Sequence, residues 1–216
     1  MAAEGSGDRP YVVAHVAISV DGATSGFQPD VGLFYSLIET WDEDATLAGA
    51  DTILAQEAAL EDAPRPGPAA GAPLLAVVDG RCRVGAWDAL RECGHWSEVL
   101  ALRAAASDPE APASLRQLAT GGERVDLRAA LTALRGEHGA KVVRVDSGGT
   151  LIGALLREGL VDELSLLVHP VLAGGDASGG WRGSGAQPSL RLEPMPSEPL
   201  EGGVAWLRYR VLGPSG

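Results

Sequence analysis

The chain predicts an α/β fold, a mostly parallel central sheet with helices on its faces and an antiparallel hairpin at its C-terminal end. Three observations predict it. Short aliphatic and β-branched runs alternate with segments of helical spacing, the pattern of strands joined by crossover helices. Residues 142–175 read without a break as strand, glycine turn, amphipathic helix, short turn and second strand. The last part of the chain offers two segments, 189–192 and 204–211, in which Ala205, Leu207, Tyr209 and Val211 alternate as in a hairpin.

The elements follow in order. Residues 1–9 are small and polar and are expected to be a disordered tail, with a single domain over 10–216. A first strand spans 11–18. A helix is expected over 31–40, where Leu33, Phe34, Leu37 and Ile38 recur at helical spacing. A strand at 45–49 and a short helix from about 51 come next, then a Pro/Ala/Gly loop over 61–73. Strands at 74–78 and 97–101 flank a helix, an Ala/Pro stretch follows, and Leu127, Leu131 and Leu134 mark a helix over 127–138. Val142, Val143 and Val145 suit a buried strand, after which Thr150 is the expected cap of a helix striped by Leu151, Ile152, Leu155, Leu156 and Leu160. Gly159 ends that helix, and a strand through Leu164, Leu166 and Val168 runs to His169-Pro170. The Gly/Ser-rich stretch 174–188 is too polar to pack as core.

The glycine turn carries the chemistry. Gly148 and Gly149 put no side chain in front of the free N–H groups at a helix start, and such a start favours a phosphate or pyrophosphate. A strand-to-helix turn with no ligand uses the same two residues. Asp21-Gly22, after the first strand, is likewise a common turn dipeptide; Ser19 and Asp21 share a face only if extended geometry continues through them.

Several stretches together resemble the C-terminal domain of the RibD family, the reductase domain of riboflavin biosynthesis, which shares the fold of dihydrofolate reductase. Asp146, Gly148-Gly149-Thr150-Leu151, Gly159 to Leu164, Pro170 to Leu172 and Gly174-Gly175 match its late motif. Ser19-Val20-Asp21-Gly22 matches its Ser-x-Asp-Gly, and Gly49, Ala50, Thr52, Leu54, Ala55 and Leu60 match a segment with Gly-Ala-Gly-Thr. Leu74 to Val84 echoes a strand followed by Asp and a basic turn.

The resemblance implies a dihydrofolate-reductase-like three-layer fold and hydride transfer from NADPH to a C=N or C=O group of a small heterocycle. It implies a cofactor site at Ser147, Gly148, Gly149, Thr150 and Leu151, with Gly49, Ala50, Asp51 and Thr52 on the other side; Arg81, with Arg83, would meet the 2′-phosphate. Asp21, Gln56 and Glu57 are the candidates for catalysis, and Ser19, Phe27, Phe34 and Asp146 for the substrate. A homodimer is implied as well. A Gly149→Asp variant is expected to lose the cofactor and stay folded.

The departures bear on the substrate. Residues 30–51 contain no Lys or Arg but carry Glu39, Asp42, Glu43, Asp44 and Asp51, and such a segment repels a phosphate. The family's Ala-Asp-Asp-Pro reads Ala55-Gln56-Glu57-Ala58, and an amide at Gln56 orients a ligand without titrating. Two further readings therefore stand beside the first: a non-catalytic nucleotide- or ligand-binding relative, and a dihydrofolate or pterin reductase.

Composition removes other classes. A net charge of −12 argues against binding nucleic acid, whose phosphates need a basic face. No run of 18 apolar residues and no basic-then-apolar leader is present, and two cysteines with no ligand clustering suit a cytoplasmic protein without a metal. Gly-x-Ser-x-Gly and His-Glu-x-x-His are both missing, as is an early Gly-x-Gly-x-x-Gly.

Overall fold

The computed structural model describes residues 7–107, 115–174 and 180–214. Residues 1–6 of the expected tail and Gly175 of the late motif lie outside these. Arg9, placed in the tail by the sequence, is buried, and its Nη1 donates to the Pro10 carbonyl.

The elements are β1 (Tyr11–Ser19), α1 (Val31–Ser36), β2 (Ala45–Gly49), α2 (Ala50–Leu54), α3 (Glu57–Glu61), β3 (Leu74–Val78), α4 (Trp87–Glu92), β4 (Glu98–Ala104), β5 (Arg116–Thr120), α5 (Leu127–Glu137), β6 (Val142–Val145), α6 (Gly149–Arg157), β7 (Glu163–His169), β8 (Leu190–Pro194), β9 (Glu198–Pro199) and β10 (Ala205–Pro214). Parallel pairing dominates and the C-terminal strands are antiparallel, as the sequence predicts.

The chain divides into two compact units, one containing 11–42 with 144–216 and the other 7–10 with 43–143. In the second unit β2, β3, β4 and β5 lie side by side in parallel. Strand β5 is not foreseen in the sequence because Arg116 to Thr120 is mostly exposed, with only Leu118 and Thr120 half-buried, which leaves it no apolar run. Ile53, Leu75, Val77, Trp87, Leu90 and Val99 form the core there. Helix α5 buries Leu127, Ala130, Leu131 and Leu134, and Asp126 caps it by accepting from Ala129 N–H at 2.9 Å.

In the other unit β1 runs parallel to β7, and β7 pairs antiparallel with β10, which also holds β8 and β9. The expected 31–40 helix is shorter. It starts at Asp30, whose carboxylate accepts from Leu33 N–H, and stops at Ser36, before a 3₁₀ turn at Ile38–Thr40. None of its residues is fully buried, so packing gives it little reason to extend.

Polar groups tie this unit together. Asp162 accepts from Val12 N–H at 2.8 Å. Glu163, 1% exposed, accepts from Tyr11 Oη, Trp41 Nε1 and two guanidinium nitrogens of Arg208 at 2.7–3.1 Å. Burial, followed by this carboxylate, pushes the Tyr11 phenol far above its ordinary range.

A second buried chain of hydrogen bonds centres on His15. Trp206 Nε1 donates to Ser165 Oγ at 2.8 Å, Ser165 Oγ lies 3.0 Å from His15 Nδ1, and His15 Nε2 lies 3.2 Å from the Phe34 carbonyl. The carbonyl only accepts and the indole only donates. A neutral imidazole therefore carries its proton on Nε2, and the serine donates to Nδ1. Burial lowers the His15 pKa from 6.5 to about 4. The unfolded chain then takes up a proton below pH 6.5 that the folded chain refuses, so stability is full above pH 6.5 and declines as pH falls toward 4. We expect a loss of about 3 kcal/mol across that window. Denaturant unfolding of the protein and of His15→Gln at pH 7 and pH 4.5 checks it; parallel losses in the two proteins would mean that His15 is not the source.

Candidate active site

The glycine turn after β6 is built differently from the expectation in one respect. The helix cap is Gly148, not Thr150; α6 begins at Gly149, and no side chain caps it. Thr150 lies inside the first turn and is exposed. No side chain caps the first-turn N–H groups of this nine-residue helix, and a helix start of that kind favours an anion. Gly148 has ordinary extended backbone, and a Cβ built on it would meet nothing within 4 Å. A cradle of that kind fits a pyrophosphate. Ser147 is half-buried beside it, and the Leu151 side chain is buried, which leaves its backbone N–H as the group a ligand can use.

Gly149 has another duty. A Cβ there would overlap the backbone of Gly180 and Gly183, and one on Gly153 would overlap the Arg182 carbonyl. Contrary to the sequence reading, part of the Gly/Ser-rich stretch is packed, because three glycines let its backbone lie directly on α6. The expectation that Gly149→Asp leaves the fold intact is corrected accordingly.

The same stretch reaches the end of β1. Trp181 N–H donates to the Gly22 carbonyl at 3.2 Å, and Gly180 bridges to Ala23. Strand geometry stops at Ser19, where Gly22 N–H closes a turn onto the Ser19 carbonyl, so Ser19 and Asp21 do not share an extended face. Ser19 is fully buried and its hydroxyl receives Ala23 N–H at 3.0 Å; its part is to shape the turn rather than to touch a ligand. Asp21 is exposed and accepts from Ala173 N–H at 3.0 Å, and that bond, with a smaller one from Ser19, holds its carboxyl below the usual range.

Asp146 is half-buried. Arg144 Nη1 lies 3.1 Å from Asp146 Oδ2, and Tyr35 Oη donates to the same oxygen at 3.3 Å. Phe34 stacks on His15 with centroids 4.1 Å apart, and Phe27 tilts against His169 at 5.4 Å. Arg144 and Tyr35 were not singled out in the sequence. Arg144 had a readable signal, since a charge inside a run of valines needs a partner if the strand is buried.

The remaining candidates lie in the second unit. Gly49 caps α2, Ala50 is buried, Thr52 is half-buried, and Asp51 is exposed with Oδ1 2.6 Å from Arg83 Nη2. Arg81 is exposed on the turn after β3. Gln56 is exposed, while Glu57 Oε1 accepts the N–H groups of Gly85 and Ala86, both at 3.0 Å, fixing the approach to α4. Asp79 is buried and paired with the buried Arg103 at 2.7 Å. Among the described residues no cluster of His, Cys, Asp and Glu could hold a metal, and no helix is long and apolar enough to cross a membrane.

Comparison with known proteins adds to this geometry. The model of the RibD C-terminal domain family matches residues 10–206. A protein of Archaeoglobus fulgidus named as 2,5-diamino-6-ribosylamino-4(3H)-pyrimidinone 5′-phosphate reductase is 30% identical over 192 residues, covering 77% of this chain and 83% of that protein. Among solved structures, RibD of Acinetobacter baumannii superimposes with a TM-score of 0.69 at 21% identity, covering 95% of this chain. This chain spans 58% of the length of that RibD. Dihydrofolate reductase from Enterococcus faecalis gives a TM-score of 0.53 at 11% identity, covering 94% of this chain and 97% of that one, which bears out the expected fold.

Proposed function

Because the chain belongs to the RibD C-terminal domain family and is an oxidoreductase, we propose that it reduces a C=N or C=O group of a ribosylaminopyrimidine with a reduced nicotinamide dinucleotide. The observation that carries the cofactor reading is the start of α6, with no side-chain cap and open space at Gly148. When bound, the dinucleotide supplies the hydride. The residues of the chain bind, orient and manage protons. N–H groups of Gly149, Thr150 and Leu151, with the Ser147 hydroxyl, hold the pyrophosphate. Asp146, held by Arg144 and Tyr35, pairs with the amino and N–H groups of a heterocycle, as does the ionised Asp21. In the second unit Gln56 is exposed, and Glu57 accepts the N–H groups of Gly85 and Ala86 through one carboxylate oxygen. Phe27 and Phe34 are apolar walls.

We read residues 10–216 as one domain, a reading supported by the family model over residues 10–206, and we propose a cytoplasmic homodimer from the resemblance. The test is oxidation of NADPH and NADH with a panel of ribosylaminopyrimidines, each with and without its 5′-phosphate. Turnover of a panel member supports the proposal; cofactor binding without turnover of any of them refutes it and leaves a ligand-binding relative. One observation favours a second substrate class. The cation-free segment 30–51 suits an unphosphorylated pterin or dihydrofolate, and turnover of dihydrofolate alone would select that reading.

A further inference from the structure

We propose that Asp51 selects the form of the cofactor: by occupying Arg83 it disfavours a 2′-phosphate, so that the chain binds NADH at least as tightly as NADPH. The inference rests on the reductase reading above and goes against the NADPH expected from resemblance alone.

Strands β2 and β3 are parallel neighbours whose last residues, Gly49 and Val78, are partners. Their carboxyl ends therefore coincide, and the residues that follow, Ala50-Asp51 and Asp79 to Arg83, stand at the edge where α/β sheets take their ligands. The turn after β3 is held by buried polar contacts. Buried Asp79 accepts from the N–H groups of Arg83 and Val84 at 2.9 and 3.0 Å, its charge is met by Arg103 at 2.7 Å, and Cys82 takes a left-handed φ of 54°. None of this uses the Arg83 guanidinium. That group leaves the turn and meets Asp51 at 2.6 Å, with the two side chains 37% and 67% exposed.

An exposed pair of this kind contributes only about 0–1 kcal/mol, so a ligand can replace either partner. The two forms of the cofactor are not equivalent there. A 2′-hydroxyl donates to a carboxylate, as in NAD sites. A 2′-phosphate brings roughly −1.5 to −2 charges, needs Arg83 for itself, and meets Asp51 as a repelling neighbour. Asp51 is also where this chain parts from the family pattern, with Gly49-Ala50-Asp51-Thr52 in place of Gly-Ala-Gly-Thr.

Binding, not turnover, tests the proposal. NADH and NADPH are titrated calorimetrically into the protein and into Asp51→Asn, Arg83→Ala and the double variant. The parent should bind NADH with a Kd equal to or below that for NADPH. Asp51→Asn should tighten NADPH by about tenfold while weakening NADH a few-fold, and adding Arg83→Ala should erase the gain. Thermal unfolding confirms that each variant is folded. A parent that binds NADPH more tightly than NADH, or an Asp51→Asn variant that shifts both cofactors alike, overturns the proposal alone. A parent that binds neither cofactor overturns it together with the reductase reading.

Discussion

Glu163→Ala is expected to cost about 3–5 kcal/mol of stability, because breaking a buried ion pair from one side leaves the other charge uncompensated. The carboxylate is 1% exposed and holds Arg208, Trp41 and Tyr11. Truncation strands a guanidinium that lies over the rings of Trp41 and Trp206, 5.5 and 5.2 Å from their centroids, with only 16% of its side chain in solvent. For a chain of this size the melting temperature should fall by roughly 10 °C. Guanidinium-chloride unfolding of the parent, Glu163→Ala and Glu163→Gln measures the effect. A loss under about 1 kcal/mol in the alanine variant would show that the cluster is dispensable.

Gly148→Asp should abolish dinucleotide binding, weakening it by about a hundredfold or more, with little change in melting temperature. The position has extended backbone and open space, so a side chain fits. Its carboxylate would cap α6 and occupy the N–H groups an incoming phosphate needs, adding a repelling charge. Gly149→Asp is the contrasting variant. It should unfold or loosen the packing of Gly180 and Gly183, because its Cβ collides with backbone. If Gly148→Asp binds NADH and NADPH like the parent, the pyrophosphate does not lie at this turn.

The fold was legible where burial writes a pattern. The valines of β6, the leucines of α6 and the apolar runs of β1 and β7 appear in the structure within a residue or two of their expected places. It was less legible where backbone packs on backbone. Stretch 174–188 reads as polar and loose, yet Gly149, Gly153 and Gly183 let part of it lie on a helix, and a missing Cβ leaves no trace in hydropathy. The candidate residues were readable as types and less so as roles. Ser19 and Glu57 have the chemistry of a site, but each spends at least one oxygen on a backbone N–H of its own unit. The acid in the wall at 49–52 was visible, and its cation partner 32 positions away became evident only in three dimensions.

The hydrogen bonds from Trp206 through Ser165 and His15 to Phe34 all point the same way, from indole toward carbonyl. Such a one-way relay freezes the imidazole in a single tautomer, where free histidine exchanges between two. Its two ring nitrogens should therefore give widely separated nitrogen-15 resonances at neutral pH, one pyrrole-like and one pyridine-like. Because the far end of the relay is the backbone of α1, that pair of signals becomes a built-in spectroscopic gauge of whether the α1 segment is seated, readable in solution without any added label beyond the isotope.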